Sequence, residues 1–329
     1  MRRRRLLQGS IAVATAGAVR AAEREAPALA SADLAAQATP GWPEPLKPGS
    51  RLAAVAPGTW LDPTDPTLSL LRRRCQRQGW QLLTPPALFG RWRWFSGSDA
   101  ARRQALQQAW LDAGVDAIAC VGAGWGSARV LEQGWRIPGG PRWCIGFSDC
   151  SALLLAQLAS GGRGGIHGWF GGSAEQWLRL VALLEGRRVA PLQGTPERGG
   201  LADGPLVVTN LTIATSLIGT PWLPDLRGAV LVLEDTGEAP YRIDRQLSQW
   251  RASGLLDGIA AIALGRFSWA HDDVLPGDFS MEEILVERLG DLDVPLISGL
   301  PVGHGVPNLA LPLGRRARID GAAGTLTLL

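Results

Sequence analysis

The chain has 329 residues, 46% of them hydrophobic, so it is long enough to form two compact domains that each have a core. Its formal net charge is +3, but residues 1–22 contain five arginines and no acidic residue, so the remainder carries about −2. This balance argues against the basic surface that nucleic-acid binding requires. Lys47 is the single lysine, which disfavours Schiff-base and Ser–Lys mechanisms.

Residues 1–22 have the features of a secretory signal peptide: a positively charged start, an apolar run over 11–19, and small residues at the end. Within the start, Arg3-Arg4-Arg5-Leu6-Leu7 fits the twin-arginine pattern, which in bacteria directs export. The apolar run is about half of the roughly 20 residues that span a bilayer, so no stable membrane span is expected. We predict a periplasmic protein with a linker over residues 23–48; the alternative is a cytoplasmic enzyme with a misassigned start.

Residues 49–175 alternate short apolar runs with helical patterns. RLAAVAP, VDAIACVGAG and RWCIGF have the length and character of buried strands, whereas ARRQALQQAWLDAG and SDCSALLLAQLAS have helical spacing. This alternation predicts an N-terminal α/β domain with a parallel sheet covered by helices, as in amidotransferase-like folds. Functional sites in such sheets form at the carboxyl ends of the strands.

A second, mixed α/β domain is predicted over residues 190–329, after a Gly- and Pro-rich connection. The runs GAVLVLED and IAAIALGRF indicate buried strands, and the segment around IDRQLSQWRASG between them indicates a helix. A Gly- and Pro-punctuated segment with β character follows from residue 294 to the end.

The four cysteines form no C-x-x-C pair and have no regular spacing to histidine. The sequence therefore predicts neither a metal site nor a disulfide framework. Cys120 and Cys144 are weak candidates for a cysteine nucleophile, because neither stands at a turn into a helix.

Ser148 stands where a predicted buried strand turns directly into a helix, in CIGFSDCSALLL. Such a turn exposes the side chain above the sheet edge, and the backbone N–H of Asp149 lies at the helix N-terminus, where it can stabilise an oxyanion. The segment resembles a nucleophile elbow, although Cys150 replaces the second glycine of G-x-S-x-G. The alternative is that Ser148 is only a helix N-cap residue.

A serine nucleophile needs a base, and the chain has three histidines, His167, His271 and His304. His271 lies in a polar, acidic segment typical of a solvated loop. His167 and His304 lie in glycine-rich segments, where the backbone can approach a ligand closely. Glu234 ends the run AVLVLE and is a candidate to orient the base; the alternative is that Glu234 marks the exit of a strand into solvent.

Seven segments resemble, in order, the LD-carboxypeptidase family, which includes muramoyltetrapeptide carboxypeptidases and microcin C immunity peptidases. They cover nearly all of residues 51–319: RLAAVAPG, SGSDAARRQALQQAWLDAGVDAIACVGAGWGSARVL, IGFSDCSALL, IHG, TNLTIATSLIGTPW, LVLEDTGEAPYRIDRQL and LPVGHGVPNLALPLGRRARID.

The resemblance implies that Ser148 is the nucleophile, His304 the general base and Glu234 the carboxylate of a catalytic triad. It also implies an oxyanion hole formed by the backbone amides of Asp149 and Gly124. The family's glycine-rich turn usually reads Arg-Gly-Gly-aromatic-Gly, whereas residues 122–126 read Gly-Ala-Gly-Trp-Gly. This chain therefore lacks the arginine and one glycine of that pattern.

By the same resemblance, the protein is expected to be a homodimeric serine carboxypeptidase that removes the terminal D-alanine from the L,D-bond of murein tetrapeptides without a cofactor or metal. Trp125, His167 and Trp169 are candidate substrate-binding residues, since indoles give a large apolar contact with a polar handle. Two alternatives remain: an amidase for a related peptide conjugate, as in the microcin C immunity peptidases, and a non-catalytic peptidoglycan-binding homologue.

Overall fold

The structure is a computed structural model, and it describes residues 41–122, 124–132, 134–269 and 277–329. The helices in these ranges are Pro66–Arg77 (α1), Asp99–Leu111 (α2), Ser127–Leu131 (α3), Ser151–Ala159 (α4), Ala174–Leu184 (α5), Leu211–Ser216 (α6), Pro240–Ala252 (α7) and Met281–Leu289 (α8). The strands are Arg51–Val55 (β1), Gln81–Leu83 (β2), Ala117–Cys120 (β3), Pro141–Gly146 (β4), Arg163–His167 (β5), Leu192–Gln193 (β6), Thr195–Arg198 (β7), Leu201–Asn210 (β8), Val230–Thr236 (β9), Ala261–Ser268 (β10), Leu296–Ser298 (β11), Leu311–Pro312 (β12), Arg316–Asp320 (β13) and Thr325–Leu328 (β14).

The first sheet has the strand order β12-β5-β4-β3-β1-β2. All of its strands are parallel except β12, which pairs antiparallel with β5. Every residue of β3 is buried, as expected for a central parallel strand that helices cover on both faces. Because β12 comes from late in the chain, the C-terminal segment completes the sheet that the N-terminal segment begins.

Helix starts around this sheet follow from local sequence. The Ser98 and Ser173 hydroxyls cap α2 and α5 by accepting hydrogen bonds from backbone N–H groups in the first turn. Asp65 does the same for α1, which has Pro66 at its first position, where a missing N–H costs nothing.

The second sheet has the order β6-β14-β13-β8-β9-β10-β11-β7. Its centre, from β8 to β11, is parallel, and the strands on either side pair antiparallel. The central strands β9 and β10 are almost continuously buried, which matches their apolar runs in the sequence. The predicted fold class, a parallel α/β sheet followed by a mixed α/β arrangement, is confirmed.

One hydrophobic core connects the two sheets. Leu153, Leu154 and Leu155 of α4 are fully buried and belong to the same cluster as Val230 of β9 and Ile262 of β10. Helix α4 contacts both α6 and β8, so the helix that follows Ser148 packs directly against the second sheet. This packing fixes the carboxyl edge of β4 relative to that of β9.

Residues 1–22 and most of the predicted linker lie outside the described residues. The end of that linker is packed: Leu46 is buried and donates a backbone hydrogen bond to Leu184 O at 2.8 Å, and the Trp42 ring lies 6.0 Å from that of Trp143. Apolar side chains at these positions account for this ordered start.

Candidate active site

Ser148 stands at a sharp turn between β4 and α4. After β4 ends at Gly146, Ser148 adopts a left-handed backbone with φ of +57° and a short 3-10 turn leads into α4. A serine in this region costs about 1–3 kcal/mol, so the surrounding structure must hold it there. A Cβ on Gly146 would lie 2.7 Å from the Cys150 Cβ. The turn therefore needs glycine before Ser148 and accepts the small cysteine after it.

His304 links Ser148 to Glu234. Its Nε2 lies 3.0 Å from Ser148 Oγ, its Nδ1 lies 2.7 Å from Glu234 Oε2, and its backbone N–H donates to the same oxygen at 3.2 Å. The three side chains come from β9, the turn after β4 and a loop near the end of the chain. The structure thus brings together the three residues that the family resemblance assigned to a triad.

The loop at residues 299–310, which we call the base loop, is held by hydrogen bonds on both sides of His304. Gly303 N–H donates to Asn308 Oδ1 at 2.9 Å, and Asn308 N–H donates to Gln176 Oε1 at 2.9 Å. Arg266 Nη1 donates to Pro307 O at 2.6 Å. Gly303 has φ of +97°, and a Cβ there would lie 2.6 Å from Glu234 Oε2. The backbone can reach the carboxylate because residue 303 is glycine.

Glu234 is 0% exposed at the end of β9. Burial acts to raise its pKa, but the imidazoles of His167 and His304 more than offset this effect and bring the pKa of Glu234 to about 2. The carboxylate is therefore ionised at neutral pH and can stabilise a protonated His304.

Asp149 connects the Ser148 turn to the glycine-rich turn at residues 122–126. Its buried carboxylate accepts hydrogen bonds from Gly126 N–H at 3.1 Å, from Ser127 N–H at 2.9 Å and from Ser127 Oγ at 2.7 Å. Burial raises the pKa of Asp149, and the bonds from Ser127 and Gly126 oppose that rise. The sequence pattern predicts only a backbone role for Asp149 and does not reveal this side-chain role.

The glycine-rich turn also packs closely against the rest of the first sheet. Gly124 has φ of +98°, and a Cβ there would lie 2.2 Å from Thr59 Oγ1. Buried Arg102 of α2 donates to Gly126 O at 2.8 Å and to Pro57 O, and it pairs with Asp99. The turn lacks its own arginine, but Arg102, which comes 24 residues before Gly126 in the chain, supports the end of the turn.

The three candidate substrate-binding residues occupy different environments. Trp125, within the glycine-rich turn, is 41% exposed. Trp169 is half-buried, with its ring 5.4 Å from that of Phe147, which in turn lies 5.0 Å from the His304 ring. His167 is 0% exposed, and its Nε2 lies 3.8 Å from Glu234 Oε1. The ring of His167 is therefore buried in β5 and faces the Glu234 carboxylate.

The remaining candidates are the cysteines and His271. In the described ranges, no three His, Cys, Asp or Glu side chains converge to hold a metal ion. The Cys144 thiol and burial hold the pKa of Cys120 well above its usual value, which opposes thiolate chemistry there. His271 lies outside the described residues.

Comparison with known protein families assigns both halves of the chain. The LD-carboxypeptidase N-terminal domain matches residues 52–168, and the LD-carboxypeptidase C-terminal domain matches residues 203–319. The chain belongs to the LD-carboxypeptidase family, and the resemblance inferred from its motifs is confirmed. Members of this family are carboxypeptidases, a class of hydrolase.

Similar proteins cover most of the chain. A Synechocystis sp. protein that is named provisionally as a carboxypeptidase is 41% identical over 87% of this chain and 97% of its own length. The murein tetrapeptide carboxypeptidase of Pseudomonas aeruginosa is 31% identical over 82% of this chain and 93% of its own length.

Solved structures give the same result for the fold. The muramoyltetrapeptide carboxypeptidase of Oxalobacter formigenes superposes with a TM-score of 0.72 at 25% identity, covering 85% of this chain and 98% of that one. The microcin C7 self-immunity protein MccF has a TM-score of 0.75 at 21% identity, covering 88% and 98%, which shows a shared fold.

Proposed function

We propose that the protein is a serine-type LD-carboxypeptidase that removes the terminal D-alanine from murein tetrapeptides. The observation that carries this proposal is the continuous chain of contacts from Ser148 Oγ to His304 Nε2 at 3.0 Å and from His304 Nδ1 to Glu234 Oε2 at 2.7 Å. This arrangement has the three parts that acyl transfer needs: a hydroxyl nucleophile, an imidazole base and a carboxylate that orients the base.

In the proposed reaction, His304 Nε2 takes the proton of Ser148 as Oγ attacks the carbonyl carbon of the scissile amide. Glu234 stabilises the imidazolium that forms. The tetrahedral intermediate then breaks its C–N bond, His304 returns the proton to the leaving amine, and D-alanine departs. Water, activated by the same imidazole, hydrolyses the acyl-enzyme and regenerates Ser148.

The backbone amides of Asp149 and Gly124 are the proposed oxyanion donors. Asp149 follows Ser148 at the start of α4, where the free backbone N–H groups of a helix N-terminus can stabilise the oxyanion of the intermediate. The hydrogen bonds from Gly126 and Ser127 to the Asp149 carboxylate keep the two segments adjacent. The amides of Gly126 and Ser127 are committed to that carboxylate, which leaves the earlier part of the turn to face the substrate.

The murein substrate is supported by relatives rather than by the site itself. The Pseudomonas aeruginosa relative is named for murein tetrapeptides, and the Oxalobacter formigenes structure for muramoyl tetrapeptides. Trp125, an exposed residue of the glycine-rich turn, is the proposed contact for the stem peptide.

A second candidate is cleavage of a peptide conjugate. Escherichia coli MccF, a microcin C7 self-immunity protein, is 31% identical to this chain over 125 residues, which is 37% of the chain. The altered glycine-rich turn favours a substrate range different from that of relatives with the usual turn.

The test is incubation of the protein with muramoyl tetrapeptide, followed by mass spectrometry of the products. We expect free D-alanine and a tripeptide, and no cleavage of a matched peptide that ends in L-alanine. A peptidyl-nucleotide conjugate is the parallel substrate. Cleavage of the conjugate alone would replace the murein assignment, whereas binding of tetrapeptide without turnover would indicate a non-catalytic binding protein.

We also propose periplasmic export and a homodimer. No helix in the described ranges is long and apolar enough to cross a membrane. Export predicts that changing Arg3, Arg4 and Arg5 to lysine leaves the protein in the cytoplasmic fraction of the cell. Sedimentation of the purified protein measures the oligomeric state.

A further inference from the structure

Glu234 faces two histidines, and the proposed mechanism uses only one of them. His304 contacts Oε2, while the ring of His167 lies on the other side of the carboxylate, with Nε2 3.8 Å from Oε1. Both His167 and Glu234 are 0% exposed. Among the described residues, neither ring nitrogen of His167 nor Glu234 Oε1 has a hydrogen-bond partner within normal distance.

Buried polar atoms without partners are costly, and here a ring nitrogen that is able to donate faces a carboxylate oxygen that accepts. The separation of 3.8 Å is longer than a hydrogen bond, but a small rotation of either side chain closes it. His167 is also well placed by the backbone: β5 pairs with β4 beside the nucleophile turn, Gly146 opposite His167, and with β12 on the other side.

We propose that His167 is a positioning residue for Glu234, donating a hydrogen bond from Nε2 to Oε1. This bond would fix the carboxylate so that Oε2 stays aligned with both Nδ1 and the backbone N–H of His304. It would also draw negative charge towards Oε1 and away from His304. The inference rests on the proposed function, because it assigns a role within the same catalytic group.

Loss of the proposed His167 hydrogen bond should change the pH dependence of the reaction. Without the His167 hydrogen bond, more of the Glu234 charge faces His304, which favours the protonated imidazolium. As the pH falls, His304 then stops acting as a base at a higher pH than in the wild type. Three other ionisable groups lie near this pair: Arg266 of β10 donates to Pro307 O, the Asp149 carboxylate accepts from Ser127, and Asp235, next to Glu234, accepts from Thr212 N–H and has a pKa that burial raises to about 6. They are present in every variant, so the shift reports the His167 contact.

The first experiment needs no substrate. The chain has only three histidines, so nitrogen NMR of the histidine-labelled protein resolves each ring. We expect the hydrogen of neutral His167 on Nε2, and we expect His304 to protonate at higher pH in His167→Phe than in the wild type. A neutral His167 with its hydrogen on Nδ1 and an unprotonated Nε2 would overturn the proposal. This result does not depend on which substrate the protein cleaves.

The second experiment measures tetrapeptide cleavage by two variants. His167→Phe keeps a ring but removes the donor, and we expect kcat to fall about ten- to a hundredfold, the scale of one hydrogen bond to a charged group. We expect KM to stay unchanged and the acidic limb of kcat/KM to move up by as much as about one pH unit. His167→Gln keeps an amide donor near the position of Nε2 and should restore most of the rate.

Other outcomes separate the possible roles. A folded His167→Phe with normal kcat and an unmoved limb would contradict the positioning role, as would a glutamine variant no better than phenylalanine. A rise in KM alone would instead make His167 a substrate contact. Wild-type protein that cleaves no tetrapeptide would overturn the proposed function, but it would leave the NMR result to decide the role of His167.

Discussion

The base loop and the glycine-rich turn approach Ser148 from opposite sheets, and they are held in different ways. The base loop is fixed by contacts to Glu234 itself: His304 touches the carboxylate through its ring and its backbone, and Gly303 lets the chain approach. The glycine-rich turn is held from behind, by the Asp149 carboxylate and Arg102. A change in the base loop should therefore act directly on His304, and a change in the glycine-rich turn should act on the proposed oxyanion donors.

Of the changes that test this comparison, Gly303→Ala is expected to have the largest effect. The new Cβ would lie within 3 Å of three Glu234 atoms at a backbone φ of +97°, so either the loop or the carboxylate must move. We expect kcat to fall about a hundredfold, the scale of a misplacement near 1 Å. Gly237→Ala is the matched control, with φ of +77° and no atom within 4 Å of its Cβ. Equal losses in the two variants would refute direct contact with Glu234 as the cause.

A smaller effect is expected from Asp149→Asn, which breaks the support of the glycine-rich turn. Asparagine offers one acceptor oxygen where three donors now bind, so at least one buried donor loses its partner. We expect about 1–3 kcal/mol less stability and a kcat roughly tenfold lower. Asp116→Asn is the control, because that carboxylate accepts a hydrogen bond from Arg51 N–H but is exposed. Unchanged activity in Asp149→Asn would show that the turn does not depend on this carboxylate.

The smallest effect concerns pH and stability at Asp235, next to Glu234. Burial raises the pKa of Asp235 from 3.8 to about 6, although hydrogen bonds from Thr212 and Thr236 oppose the rise. A raised pKa means that stability is lost as pH increases from about 4 through 6, by at most about 3 kcal/mol. Asp235→Asn should remove that loss, so its stability relative to wild type should increase over this range. Denaturation curves at several pH values measure it, and parallel curves for the two proteins would refute it.

Some of the site follows from sequence pattern, and some depends on contacts that no pattern contains. Ser148 was recognisable from a strand that turns into a helix, and Glu234 and His304 from the order of the family motifs. The contact between the Ser148 and His304 side chains could not be predicted from sequence spacing, because the two residues are 156 positions apart. It depends on how α4 packs against the second sheet.

His167 and Asp149 show more clearly what sequence patterns cannot predict. The glycines around His167 suggested a ligand contact, yet GGIH is a buried strand of a parallel sheet, where a continuous run without charged residues predicts a core position. Asp149 directly follows Ser148, so the sequence already suggested its proposed backbone role. Its side-chain role depends on α3, which begins 22 residues earlier in the chain and lies beside it only in the folded state.

The central claim is that Ser148 is the nucleophile, and the most direct test is D-alanine release from muramoyl tetrapeptide by Ser148→Ala. Ser151→Ala is the matched control, a buried serine one turn further on whose hydroxyl accepts a long 3.4 Å hydrogen bond from Asn210 N–H. We expect Ser148→Ala to lose at least about a thousandfold in kcat while it still binds the peptide, and Ser151→Ala to retain most activity. Release by folded Ser148→Ala at a rate near that of the wild type would contradict the account.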